Sequence, residues 1–399
     1  MSAQYVMDPA IQKNSKLIQK NCEVRETGLH YKVLKYDEKF TCDNDETLGV
    51  YRSVILSDPE EEVLCFSPPK SLTPDVFKER NPDIREIHMS EAVEGTMISL
   101  FWDPRASAWE LATKGSVGGN YWFYRTKYLE EMKCPQKTFR QMFLEALRAD
   151  DLNTSAFVQN LPKGDESTRF CYNFVLQHPD NHIVLHVPFA TLFLVSVYGI
   201  ESGGVCAVAP ETYQAWRVFD EFSGLVQFPQ VIEGDSYDDI VNTHCTVHAP
   251  FTLMGVMCLN TKTGERTCLE NAAYAEVKEL RGNHPNIQYQ YLCLRRMDKV
   301  MDFLAVFPQY TKLFRRFQVQ FDEFITHLHM AYFSVFVKKT GDIVSKKYHP
   351  FICRLHYNVY LPSLSTEKVV MTRREVKKQV LLFPPSDILF YLNYNVSQV

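Results

Sequence analysis

The stretch Val93-Glu94-Gly95-Thr96-Met97-Ile98, running on into Ser99-Leu100-Phe101-Trp102, decides how this chain is read. Residues 97–102 form an apolar run of strand length, and Gly95 ahead of them suits a tight turn with φ > 0. Asp103-Pro104 makes the next turn, and residues 109–113 return as the second arm of a hairpin. The same pattern recurs outward. Upstream, 51–56 and 63–66 flank an acidic turn at 58–62, Pro68 and Pro69 end that hairpin, and 73–80 reads as a short helix. Downstream, 171–176, 183–187, 191–198 and 252–259 read as strands, while 138–149 carries Phe139, Met142, Phe143, Ala146 and Leu147 at helical spacing. The acidic segment 233–239 reads as an exposed turn, and the polar first 40 residues as an arm or short helical lead-in.

Beyond Tyr274 the character changes. Val300, Phe303, Leu304 and Phe307 fall on one helical stripe; Leu313, Phe317, Phe321, Phe324, Leu328 and Tyr332 form a longer one, with Pro308 between them. Phe314, Phe317, Phe321 and Phe324 read as core rather than as a platform for unpaired bases. The expected architecture is α+β: a lead-in over 1–45, an antiparallel-sheet domain over 46–273, and a mainly helical domain over 274–399.

Composition narrows the function. The 399 residues are 45% hydrophobic and 23% charged, which excludes a wholly disordered or fibrous chain. With 27 Phe and 21 Tyr, much of the core must be ring packing. The net charge of −5 gives no whole-molecule basic field, but it is unevenly spread. From Tyr274 onward there are 18 Lys/Arg against 10 Asp/Glu; before it, 25 against 38. The basic doublets of the last third, Arg295-Arg296 and Arg315-Arg316 foremost, are candidates for RNA phosphates. Eleven cysteines, an odd number with no Cys-x-x-Cys, point to buried thiols in a reducing intracellular setting. The most apolar stretch, 183–200, is broken by His186, Pro188, Thr191 and Ser196, so no membrane span is expected.

Several strings, taken in order, resemble one family. They are Tyr51-Arg52-Ser53-Val54, Phe66-Ser67-Pro68-Pro69-Lys70, Val93-Glu94-Gly95-Thr96, Thr113-Lys114-Gly115-Ser116 and Phe174-Val175-Leu176-Gln177-His178-Pro179-Asp180-Asn181. Leu280-Arg281-Gly282-Asn283 and Tyr289-Gln290-Tyr291-Leu292 extend the set. Order and spacing resemble the phage-type RNA ligase 1 family of covalent nucleotidyltransferases, especially divergent members from large DNA viruses. The resemblance implies a nucleotidyltransferase core, ATP with Mg²⁺ as cofactors, and RNA, tRNA or single-stranded, as partner. It also implies a lysine that attacks the α-phosphate of ATP, two carboxylates, and a closing pair of cations.

Most of that inventory is absent here. The nucleophile position is Ala92, and a methyl group cannot attack phosphorus. The carboxylate positions are occupied by Asn173 and Met254, and the cation string reads Cys268-Leu269-Glu270. Losing one preorganised electrostatic group costs about 10²–10³ in rate, and losing the nucleophile removes the covalent route. The chain is therefore expected to bind nucleotide or RNA without self-adenylylation, through Arg52, Lys70, Glu94 and Lys114, and to hold no structural metal. Two alternatives stand beside this reading: an active ligase using Lys70 or Lys114, and an interaction pseudoenzyme of a virus factory or virion. His178, His182 and His186 recur at spacing four, but strand residues four apart lie about 13 Å from each other, too far for one metal ion. His244, Cys245 and His248 also lack a second cluster with zinc spacing.

Overall fold

The computed structural model describes residues 2–394 except 13, 26, 41–46, 122–136, 166, 283, 285, 341–343 and 366. Asn283 of the last resembling strings thus lies outside the described residues. The chain divides into two units, Met1–Lys278 and Glu279–Val399.

The first unit is built on three sheets. A four-stranded sheet joins β2 (Leu17–Val24), β3 (Leu29–Tyr36), β4 (Val54–Asp58) and β5 (Val63–Phe66) in that order. A three-stranded sheet has the order β15 (Arg266–Glu270), β14 (Gly255–Asn260), β6 (Ile87–Glu91). The large sheet runs β1 (Gln4–Val6), β12 (Gly204–Val208), β11 (Thr191–Glu201), β10 (Thr168–Gln177), β7 (Thr96–Asp103), β8 (Ala108–Thr113), β9 (Ser116–Val117). All of these pairings are antiparallel; the short β13 (Val226–Gln227) pairs β11 in parallel. The fold is a mixed helix and antiparallel-sheet architecture, as the alternating strands required.

Side-chain alternation sets which residues can meet. Tyr172, Phe174 and Leu176 of β10 pack on the helix Phe139–Leu147, with Phe139, Met142, Phe143, Ala146 and Leu147 buried as its spacing predicts. Thr138 caps that helix, its hydroxyl accepting from Gln141 N while the Gln141 side chain accepts from Thr138 N. With period two, Cys171 and Asn173 must then face the other side of the sheet. There Cys171 joins a second core with Tyr31, Val33, Val54, Phe66 and Tyr198.

Three expectations fail, each for a local reason. The first 45 residues are not an arm: β1 is an edge of the large sheet, and β2 and β3 form half of the four-stranded one. β2 exposes most of its side chains, so only Leu17 and Val24 are buried and the strand reads as polar. Residues 183–187 are not a strand; their backbone amides serve a carboxylate, as described below. Within 233–239, Ser236 accepts from Asp239 N and caps a helix, Tyr237–His244, that buries Ile240.

The second unit is helical. Its longest helix, Thr311–Tyr332, buries Phe314, Phe317, Phe321, Phe324 and Leu328 on one face, which settles the aromatic stripe as core. Phe303 stacks on Phe314 with centroids 4.9 Å apart, so the stripes on either side of Pro308 share one core. Among the described residues, no helix is long and apolar enough to cross a membrane.

Candidate functional site

The nucleophile position is closed. Ala92 follows β6, its N–H donates to the Gly255 carbonyl at 2.9 Å, and it is 5% exposed. On the neighbouring strands, Val256, Cys258 and Leu269 face a core with Phe77 and Ile240. The opposite face of this sheet therefore carries Arg266 and Cys268 of β15, with Met257 and Ser90 in register beside Cys268. Met254 precedes β14, and its carbonyl accepts from Asn271 N at 3.1 Å.

Glu94 is buried and fully engaged. Its carboxylate accepts from the amides of Ile183 (3.0 Å), Val184 (3.0 and 3.1 Å) and Leu185 (3.2 and 3.3 Å), and from the Tyr274 hydroxyl at 2.8 Å. Burial, then the Glu94 charge, push the Tyr274 phenol well above its ordinary range. Glu94 thus pins the irregular 183–185 segment to the helix Ala272–Arg281. Gly95 beside it is obligatory: a Cβ there would stand 2.5 Å from the Leu176 carbonyl oxygen.

Asn173 is likewise committed. Its Nδ2 donates to the Phe66 carbonyl at 3.0 Å, and its Oδ1 accepts from Ser99 Oγ at 2.7 Å. The space beyond is filled by rings: Phe66 lies 4.9 Å from Tyr198 and 5.1 Å from Tyr5 between centroids. Mg²⁺ does not fit this set, because the two carboxylate positions offer an internally bonded amide and a thioether, neither a good ligand for a hard cation.

What remains is cationic. Arg266 Nε donates to Ser71 Oγ at 3.2 Å. Burial, then the nearby charge of Arg52, lower the Arg266 guanidinium to about 10. Among the described residues neither Arg52 nor Arg266 has a salt-bridge partner. Ser67, backbone-bonded to Ser53 next to Arg52, holds a buried hydroxyl with no partner among the described residues. Lys70 and Lys114 converge on one ring, their Nζ atoms 5.8 and 5.3 Å from the Tyr36 centroid, and Lys114 also meets Glu38 at 3.2 Å. Lys20 Nζ caps the Gly115 carbonyl at 2.9 Å in the same turn.

The sequence expectations therefore divide. Arg52, Lys70 and Lys114 are cations with partly or fully exposed side chains, whereas Glu94 faces inward and cannot also line a ligand surface. Arg266 escaped the sequence reading because that reading began at Cys268; strand alternation from Cys268 leads back to it. Tyr274 and the 183–185 amides left no signal, since backbone donors have no side-chain signature. In the second unit, Arg296, Arg315 and Arg316 are exposed, but Arg295 is internal. It bonds Tyr291, meets Asp322 at 3.4 Å and lies 4.5 Å over the Phe321 ring.

The histidines have other work. His178 is 2% exposed, its Nε2 is 2.9 Å from Glu145, and its Nδ1 accepts from Asp180 N. His182 and His186 stand 5.5 Å apart between ring centroids, closer than strand spacing allows because this segment is not a strand. Among the described residues no three His, Cys, Asp or Glu side chains are grouped to hold a metal ion. Nine described cysteines are free thiols.

No family model matches the chain. It is 29% identical over 110 residues to an immediate-early protein ICP-46 homolog of Invertebrate iridescent virus 6, covering 27% of this chain. The match spans about a quarter of that curated relative's length, 24%. Among solved structures, a Naegleria gruberi RNA ligase mutant with ATP and Mn covers 70% of this chain and 85% of its own, with 9% identity and a TM-score of 0.38. An archaeal ATP-dependent RNA ligase covers 77% of this chain and 73% of its own, with 13% identity and a TM-score of 0.41.

Proposed function

We propose that this chain is an RNA ligase-like protein with a degenerate centre, which binds the phosphates of a nucleotide or RNA and forms no lysyl–nucleotide bond. The observation that carries the reading is Arg266, partly buried beside Arg52 with no carboxylate to neutralise either one. Two guanidiniums held together without an anion are costly, and a phosphate accepting from both would relieve that cost. The ordered motif strings support the ancestry. The closed position of Ala92 and the internal bonds of Asn173 support the loss of chemistry. The ring-filled space beside Phe66 favours phosphate contact at the rim, through Arg52, Arg266 and Lys70, over a deeply inserted base. We place this activity in the reducing interior of a cell infected by a large DNA virus, in keeping with the free thiols and the iridescent-virus likeness.

Two measurements on the full chain test the reading. ATP and a 5′-phosphorylated oligoribonucleotide should each raise the melting temperature of the protein, and Arg266→Ala should abolish the rise. Intact mass after incubation with ATP and Mg²⁺ should be unchanged. An AMP adduct mapping to Lys70 or Lys114 would instead establish the active ligase.

A further inference from the structure

In the second unit, two helical rods end in π-helical turns. Thr311–Tyr332 continues into Phe333–Lys338, and His349–Arg354 into Leu355–Tyr360. Such turns are rare and recur at functional sites. Phe324 contacts Phe351, Tyr332 contacts His356, and Phe336 contacts Tyr357, at centroid distances of 5.3, 6.1 and 6.1 Å. These contacts advance together along both rods, so the rods run side by side in one direction and finish together. His356 is clamped there, stacked on Phe336 at 3.8 Å and on Tyr360 at 5.5 Å.

The outward sides of both ends are apolar. Met330, Phe333 and Val337 form a stripe on one rod, and Tyr357, Leu361 and Leu364 continue one on the other, each residue 41–75% exposed or within that span. Spacings of three and four place each set on a single helical face. A soluble surface rarely leaves such a patch without a partner. Around it stand Lys338, Lys339, Lys346, Lys347 and Arg354, none with a salt-bridge partner among the described residues. Between 333 and 364 the sequence holds a single acid, Asp342.

We infer that these paired rod ends form a docking groove for an amphipathic helix whose apolar stripe is flanked by Asp and Glu. Two adjacent apolar stripes present the seat that a third helix packs into, and a rim of five cations selects its charge. A second copy of this chain is disfavoured, because it would bring the same cations against each other. Four of the six exposed side chains are aliphatic and give no ring face for stacking, which disfavours single-stranded RNA.

A labelled 18-residue helical peptide with a leucine stripe and glutamate flanks, titrated against the full chain by fluorescence anisotropy, tests the inference. It should bind, weaken as salt rises, and lose about tenfold or more in affinity on Val337→Glu with Tyr357→Glu. Lys338→Glu with Lys339→Glu leaves the apolar stripes intact and should shift preference toward a lysine-flanked version of the peptide. Equal binding of both peptides to the unmodified chain would overturn the inference. So would an apolar-stripe double variant that loses poly(U) or phosphatidylserine-vesicle binding while its peptide affinity is unchanged.

Discussion

Asn173 Nδ2 donates to the carbonyl oxygen of Phe66 at 3.0 Å, which ties the middle of β10 to the end of β5. That bond requires a donor. A carboxylate at this position would set oxygen against oxygen in a place that is 0% exposed. The amide is therefore required by the fold, not merely tolerated where a carboxylate has been lost. Asn173→Asp should destabilise the protein by about 2–4 kcal/mol, read by chemical denaturation, through an unsatisfied carbonyl and a buried charge. A variant as stable as the parent at pH 7 would refute this.

Glu94 and Tyr274 act as one unit. Glu94→Gln replaces an acceptor serving three amides and a phenol, and should cost about 1.5–3 kcal/mol. Tyr274→Phe should cost about 1 kcal/mol. In a double-mutant cycle the two losses should fail to add by more than about 0.5 kcal/mol, since both remove the same 2.8 Å bond.

Arg266→Met should leave the unliganded melting temperature unchanged or higher, because it removes one of two adjacent like charges. The same substitution should erase the temperature rise produced by ATP. A variant that melts lower yet keeps that rise would show Arg266 to be a structural residue only.

Ala92→Lys should not yield an adenylylated protein on incubation with ATP and Mg²⁺, as judged by intact mass. The restored amine would lie among Asn173, Met254 and Cys268, with no carboxylate to hold a metal and no cation pair to receive charge. An adduct at residue 92 would mean that a single substitution had silenced the site.

Acid sensitivity should trace to Asp103. Burial raises its carboxyl, but bonds from Arg105 and Tyr31 outweigh that and leave it below the usual range. A lowered folded value means that the stabilisation is complete above the unfolded value of about 3.9 and is lost as pH falls through the folded one. Melting temperature should therefore drop below about pH 4 in the parent, and Asp103→Asn should flatten that part of the profile.

The linear text determined the elements whose periodicity points at a core. The hairpin built on Met97 and Trp109, the helix carrying Phe139 and Phe143, and the aromatic stripe from Phe314 to Phe324 each follow from burial repeating every two or every three to four residues. The missing lysine at Ala92 was equally plain, because no conformation gives a methyl group an amine's chemistry.

Tertiary structure alone decided what the remaining polar groups do. Glu94 could be read as a ligand-binding carboxylate until three amides from 183–185, about ninety residues away, were found turned toward it. Arg295 could be read as a phosphate contact until Asp322 and Phe321 were found enclosing it. Arg266 became a candidate only when strand alternation set it near Arg52. Apolar burial repeats with the geometry of the local backbone and so is written in a short window. A polar group's task depends on which distant donor, acceptor or charge the folded chain brings within about 3 Å, and no local period encodes that distance.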